Sequence, residues 1–361
     1  MTAEATTDEA AAARARLVQD LVDAGALADP RWRAAFEAVH RDAFVPYFFD
    51  HLGRRISGDD PATADAWSAG VHADRALVTH RTDGAATSSS SEPSLMASML
   101  HALGVEDGMR VLEIGTGTGY NAALLSHRLG DGQVVTVDIT EEITGPARER
   151  LAAAGHAPVV VTGDGAAGWP EGAPYDRIIV TCRLDAVPRP LLHQLTGNGV
   201  LLAPLGNALA RVRRTGEDSA EGRFLSGAFF MAMRHGAGTG VARRPDLPAG
   251  PGRPSTLPVA DLVDGSFRFL VSVVAPGLVW QYGLDGTWVW APDGSIAALT
   301  PDGTVTEAGP RALWSELEAA HEIFAAHGRP APDRYGVSVG EGSQSVRLGG
   351  LDGPVWGLAA E

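Results

Sequence analysis

Three glycines in five residues, within VLEIGTGTGY at residues 111–120, constrain this chain more than any other stretch. MRVLEI before them reads as a short buried strand, and YNAALLSHRL after them as a helix. Gly115, Gly117 and Gly119 let the backbone turn tightly between the two and approach a ligand closely. The alternation continues on both sides. SLMASMLHAL is expected to be helical, as is EEITGPARERLAAAG, which ends at glycine. QVVTVDI, APVVVTGD, DRIIVTC and NGVLLAPLG are expected strands. Strands alternating with helices argue for an α/β fold with a parallel, doubly wound sheet. ARVRRT and RFLSGAFFMAMR read as an antiparallel pair on one edge of it.

Four segments follow from this pattern. Residues 1–92 are expected to be a helical and mixed extension of the catalytic domain. Thr6 and Glu9 read there as a capping box before a helix with Leu17, Val18, Leu21 and Val22 on one face. A short second helix is expected from Arg31 to His40. Residues 93–235 are expected to be the Rossmann-like domain. Residues 236–258, dense in Gly and Pro, read as a linker. Residues 259–361 are expected to form a C-terminal α+β module. GTWVWAPDGSIAALTPDGTVTEAG reads as a meander with turns at Pro292-Asp293-Gly294 and Pro301-Asp302-Gly303. A helix should open at Pro310 and close at Gly328, with Leu313, Trp314, Leu317, Ala320 and Phe324 on one side. The module holds Trp280, Trp288, Trp290, Trp314 and Trp356.

Composition removes several chemistries. The 29 basic residues are all arginine. That excludes a P-loop lysine, a Schiff-base lysine and a lysine general base. A formal charge of −15 opposes a nucleic-acid partner, because phosphate binding needs a basic face. Cys182 is the single cysteine, so no intrachain disulfide and no cysteine metal cluster can form, and no metal is expected. No apolar run is long enough to cross a bilayer, and the first residues carry acids rather than an apolar signal segment. The expectation is a cytoplasmic protein with no membrane partner and with its oligomeric state open.

A dinucleotide fingerprint would need glycine at position 120, where Tyr120 stands. The pattern E-x-G-x-G-x-G resembles instead the first motif of class I S-adenosylmethionine-dependent methyltransferases. That cofactor needs room for an amino-acid tail and an adenosine. Asp138 ends the second strand, where a carboxylate can accept both ribose hydroxyls. Asp164 ends the third, where it can hold the adenine amino group, and Gly165 would let the ring lie flat on the backbone.

Longer stretches carry a more specific likeness. VLEIGTGTGYNAALLS, VTGDGAAGWPEGAPYDRIIVT, VPRPLLHQLTGNGVLLAPLG, VHRDAFVP and VHADRALVTH resemble the protein-L-isoaspartate O-methyltransferase family, over residues 16 to 235. That family carries Thr-x-Ser-x-Pro before the first Rossmann helix, matched here by Ser89-Ser90-Ser91-Glu92-Pro93. The resemblance implies an active-site role for Ser91 and substrate contacts from Ser91 and Asp74. It implies cofactor contacts from Ser88, Ser89 and Ser90, from Glu113, Gly115, Thr116, Gly117 and Gly119, and from Asp138, Ile139, Asp164 and Gly165. Met96 stands where some relatives have histidine, and FFMAMR replaces a proline-bearing strand that touches the cofactor. The C-terminal tail resembles methyltransferases of ribosomally made, post-translationally modified peptides such as lanthipeptides and graspetides. That second likeness implies methylation of an aspartate in a macrocyclic or crosslinked peptide, the ester closing to a succinimide and opening to isoaspartate or aspartate. The alternatives are a repair enzyme acting on damaged proteins, and an idle protein that only binds a peptide or a synthetase.

Overall fold

Short apolar runs bounded by glycine and proline define the elements, and their order along the chain builds the sheet. The computed structural model describes residues 3–235, 243–247, 250–350 and 352–358. Helices α1 (Ala3–Asp23), α2 (Pro30–Ala38) and α3 (Arg41–Phe44) open the chain. Leu17, Val18 and Leu21 are buried, as their one-sided spacing predicts. α1 begins upstream of Thr6, so Thr6 lies inside the helix and the expected capping box is not its start. α2 does carry a cap: Asp29 accepts from the Arg31 N–H at 2.8 Å, with Pro30 at the first helical position.

Strands β1 (Tyr47–Phe49) and β2 (Arg55–Ser57), helix α4 (Ala64–Val71), and strands β3 (Leu77–Thr82) and β4 (Ala85–Ser90) follow. The strands form a small antiparallel sheet in the order β2-β1-β3-β4. Asp83 and Gly84 both take positive φ and turn β3 into β4. An Asp-Gly pair with both residues at positive φ suits the twist of a two-residue hairpin. The serine run is thus the end of a strand, leading into α5 (Pro93–Leu103).

The main sheet then builds through β5 (Val111–Ile114), α6 (Tyr120–Leu129), β6 (Val134–Asp138), α7 (Glu141–Ala153), β7 (Val159–Thr162), β8 (Tyr175–Val180), α8 (Arg189–His193) and β9 (Leu195–Leu205). Its parallel part has the order β7-β6-β5-β8-β9. β10 (Ala208–Arg214) and β11 (Ala220–Gly227) continue it antiparallel. The expected strand through Arg234 stops at Gly227. Residues 228–234 leave the sheet, held by Arg183, whose N–H donates to the Met231 carbonyl and whose carbonyl accepts from Met233, each at 2.8 Å.

The C-terminal part comprises β12 (Arg253–Pro254), α9 (Gly265–Val274), β13 (Val279–Gly283), β14 (Gly286–Trp290), β15 (Ile296–Leu299), β16 (Thr304–Ala308), α10 (Leu313–Ala326), β17 (Tyr335–Gly340), β18 (Ser343–Leu348) and β19 (Val355–Gly357). The meander is β14 to β16, turning at Gly294 and Gly303, inside a five-stranded sheet β12-β16-β15-β14-β13. Leu313, Trp314, Leu317, Ala320 and Phe324 are all buried on α10. Of the segment read as a linker, residues 236–242 and 248–249 lie outside the described residues, and Arg253–Pro254 pairs with β16.

The module is not a separate body. β17 pairs antiparallel with β11, so β17, β18 and β19 extend the main sheet to ten strands. The antiparallel part is therefore half the sheet rather than an edge pair. Aromatic rings cross the boundary: Phe224 of β11 lies 4.6 Å from Phe269 of α9, and Phe269 lies 4.9 Å from Tyr335 of β17. All three are buried. Truncation after residue 240 removes the partner strand of β11 and uncovers this cluster. The truncated chain should lose cooperative thermal unfolding and precipitate, because a bared strand edge and buried aromatics promote association. A soluble truncated chain with a sharp melt would show that the two parts fold independently.

Candidate active site

The strand order reverses between β5 and β8, and in such sheets ligands bind outside the carboxyl ends of the strands at that point. A cavity of about 370 Å³ opens there, within the range of about 300–1,000 Å³ common for small-molecule sites. Its floor comes from the turn after β5. Gly115 has φ 100°, and a Cβ there would strike the Thr181 hydroxyl after β8. Gly117 has φ 52°, and a Cβ there would point at the Ser88 hydroxyl and the Ser89 carbonyl across the cavity, each 3.6 Å away. Both positions favour glycine for conformation, and Gly115 also for space.

Asp138 ends β6 and faces this cavity. Its carboxylate accepts from the Gly117 N–H at 2.9 Å and the Ile139 N–H at 2.8 Å. It thus ties the glycine turn to the second strand while keeping lone pairs directed to the cavity. Burial raises its pKa, and the two backbone donors oppose that rise. Ile139, Gly165, Ser88, Ser89 and Ser91 also line the cavity, as the sequence implied. The Ser91 hydroxyl makes no hydrogen bond to the described residues, although its carbonyl does.

That carbonyl is held by Arg41. The guanidinium is 3% exposed and donates to the carbonyls of Val71, Ala73, Arg75, Ser90 and Ser91 and to the Ser90 hydroxyl, at 2.9–3.4 Å. Burial lowers its pKa to about 10, which leaves it fully charged at neutral pH. Sequence reasoning quoted Arg41 within VHRDAFVP but gave it no role.

Several implied residues act differently. Ser90 is not among the main cavity's lining residues; it is buried against Arg41. Asp74 lies outside the cavity and caps α5, accepting from the Ser94 N–H at 2.8 Å. Gly119 lies outside it too and packs on α7, where a Cβ would meet Leu151 at 3.3 Å. Thr116 turns behind the loop to Thr136, hydroxyl to hydroxyl at 2.7 Å. Asp164 caps the turn after β7 through the Ala166 N–H at 2.9 Å, so its neighbour Gly165 reaches the cavity and it does not. Glu113 is fully buried behind the loop, accepting from Asn121 at 2.7 Å and Thr136 at 2.6 Å. It holds the loop's framework from a side pocket that shares Ser89, Ser91, Gly115 and Gly117 with the main cavity. Thr181 and Cys182 after β8 line the cavity although sequence reasoning gave them no role, and so does Phe229 to Arg234, the FFMAMR stretch that departs from the relatives' cofactor-touching strand. Burial pushes the Cys182 thiol up to about 12, so it stays protonated and is a wall, not a nucleophile.

Known proteins share this arrangement. The family profile of protein-L-isoaspartate (D-aspartate) O-methyltransferases matches residues 12–237. The chain belongs to that family. Protein-L-isoaspartate O-methyltransferase 2 of Pelobacter propionicus is 39% identical over 211 residues, covering 57% of this chain and 83% of its own. The protein-L-isoaspartate O-methyltransferase of Methanothermobacter thermautotrophicus is 33% identical over 232 residues, covering 62% of this chain and 96% of its own. A solved structure named protein-L-isoaspartate O-methyltransferase superposes on 93% of this chain and 99% of its own with a TM-score of 0.57 at 24% identity, a likeness of fold. Membership makes the protein a carboxyl methyltransferase and S-adenosylmethionine its cofactor.

The residues present suit that cofactor. Gly117, Asp138 and Gly165 line one cavity, and these residues would hold the cofactor, with the Asp138 carboxylate as a hydrogen-bond acceptor. Asp138→Ala and Gly117→Val should each weaken S-adenosylhomocysteine binding at least tenfold by calorimetry with the fold retained; unchanged affinity in both would remove this assignment. A second prediction concerns Glu113, whose pKa burial raises to about 7. The folded state holds this proton more tightly than the unfolded chain, so the group's contribution favours folding at low pH and falls as pH rises from about 4.5 through 7. The full difference is about 3 kcal/mol at 1.36 kcal/mol per pKa unit. Glu113→Gln should flatten that slope: urea titrations at pH 5.5 and pH 8 should show the variant gaining stability relative to the parent at the higher pH.

Proposed function

We propose that the protein, like the protein-L-isoaspartate O-methyltransferases its relatives are named as, methylates the free α-carboxylate of L-isoaspartyl residues in damaged proteins. The observation that carries this reading is the free Ser91 hydroxyl on the wall of the cavity, placed by Arg41 beside the glycine turn. The acceptor carboxylate has an ordinary pKa of about 4 and arrives ionised. No general base is required, which suits a cavity whose one thiol is held neutral. When bound, S-adenosylmethionine supplies a methyl group on a positively charged sulfur. Ser91 would donate a hydrogen bond to one acceptor oxygen and leave the other free to take the methyl group, with the carbon–sulfur electron pair remaining on the sulfur the cofactor would supply. Alignment of this kind supplies several kcal/mol of the rate enhancement. The ester then closes to a succinimide as the following backbone nitrogen attacks its carbonyl carbon and expels methanol, which takes up the amide proton, without further help from the chain.

A constrained peptide carrying ordinary aspartate was expected from the C-terminal tail. The tail no longer supports that choice. A structure named protein-L-isoaspartate O-methyltransferase superposes on 93% of this chain, so the fold of the tail also accompanies the repair reading. The decisive measurement is methyl transfer from labelled cofactor to matched peptides that contain isoaspartate or aspartate at one position. Isoaspartyl peptide should be methylated and its aspartyl twin should not; preference for a crosslinked aspartyl peptide would reverse the reading. Ser91→Ala should lower kcat on the isoaspartyl peptide by about 10- to 100-fold, the worth of one hydrogen bond to a charged group. Its affinity for S-adenosylhomocysteine should stay within a factor of about 3, and normal turnover would reduce Ser91 to a helix-entry residue.

A further inference from the structure

We propose that Arg268 and the aromatic side chains around it form a docking site for an acidic segment of the polypeptide substrate, beside the mouth of the cavity. The proposal rests on the reading that the acceptor is a polypeptide.

Arg268 lies on α9 with its guanidinium carbon 4.3 Å from the Trp280 ring centre and 5.7 Å from those of Phe229 and Tyr282. Its Nη1 donates to the Tyr282 hydroxyl, which in turn donates to the Leu262 carbonyl at 2.7 Å. Its Nε is buried without a partner. Among the described residues no carboxylate lies within 4 Å of it. Other arginines of the same region are matched: Arg253 with Glu318, Arg311 with Glu316 and Arg329 with Asp261. A second cation, Arg183, also acts on Arg268 and is itself 3.6 Å from Asp185. Nη1 is held by Tyr282 and Nε is buried, so an external anion would be taken through Nη2, on a cation with no contacting carboxylate.

The surroundings give the occupant its character. Phe229 lines the catalytic cavity and also flanks Arg268. It is 54% exposed, Tyr282 is 44% exposed, and Leu284 at the tip of the β13–β14 hairpin is wholly exposed. A chain whose acceptor carboxylate sits in the cavity would cross Phe229 and reach Arg268 next. Exposed apolar side chains of this size beside a cation suit a polypeptide better than a small free anion. Charge complementarity selects an acidic one. The catalytic rim contributes Phe229, and the C-terminal part contributes everything else. That gives the extra strands and helices a part in choosing substrate, within the repair reading.

The test uses the full-length chain saturated with S-adenosylhomocysteine and a pair of isoaspartyl peptides. One carries glutamates flanking the acceptor, the other glutamines. Calorimetry should show the glutamate peptide binding about tenfold more tightly, and Arg268→Gln should bring the ratio to about 1. Arg268→Lys, which keeps the charge but loses the stacking fork, should give an intermediate ratio. Leu284→Glu is the control for a folding defect at Arg268: it alters only an exposed side chain and should weaken binding of the glutamate peptide selectively. S-Adenosylhomocysteine affinity should match the parent in all three. A parent ratio near 1, or a ratio unmoved by Arg268→Gln and Leu284→Glu, overturns the docking site. Competition by inorganic phosphate at low millimolar concentration, with no peptide preference, overturns it in favour of a small-anion site. Turnover separates the two readings: if the parent methylates neither peptide but binds them with the Arg268-dependent ratio, the docking site stands and the isoaspartate reading fails.

Discussion

One buried cation organises the acceptor side of this enzyme. Arg41 takes three separate pieces of chain and fixes them against each other: the turn after α4, the end of β4, and the entry to α5. Each of these segments would otherwise carry carbonyls without partners in a buried place, at a cost of about 1–3 kcal/mol apiece. A guanidinium suits this task because its donors lie in one plane and diverge, whereas an ammonium presents a compact point charge. The charge is not balanced by a contacting carboxylate. It is spread over carbonyl dipoles, so it can hold a loop in place without competing for the acidic groups that serve the cavity. Ser91 lies beside the glycine turn because Arg41 grips its carbonyl and leaves its hydroxyl free.

The acids near the cavity divide in the same way. Asp138 spends part of its hydrogen-bonding capacity on the Gly117 and Ile139 N–H groups and keeps the rest toward the cavity. Glu113 gives all of its capacity to Asn121 and Thr136 and never reaches the cavity. Both are buried, and both therefore hold protons more tightly than exposed acids do.

The continuous ten-stranded sheet decides how the C-terminal part takes part. Joined through β17 and a shared aromatic core, it cannot swing on a linker as an independent recognition module would. It stands as a fixed wall, with Arg268 and its rings presented at a set position relative to Phe229. Rigid placement lowers the ordering cost of binding an extended chain and favours specificity over reach.

Much of this was legible in the residues. The glycine turn, the parallel strands, Asp138 at a strand end and the buried stripe of α10 follow from local periodicity and glycine geometry, which depend on neighbours a few positions apart. The Asp83-Gly84 hairpin was equally local, and its signal lay unread beside the serine run. What the sequence could not decide are the pairings between distant segments. β11 meets β17 across more than a hundred residues, and no local pattern names a strand's partner. Ser89, Ser90 and Ser91 are chemically alike, yet one side chain faces the cavity, one turns to Arg41 and one stays free, because the end of a strand and the grip of a distant arginine set each direction. Asp74, Asp164 and Glu113 could all have been ligand contacts by residue type. In the packed chain Asp74 caps α5, Asp164 caps a turn and Glu113 joins an interior network, since a carboxylate goes to whichever donors the packed chain brings within reach.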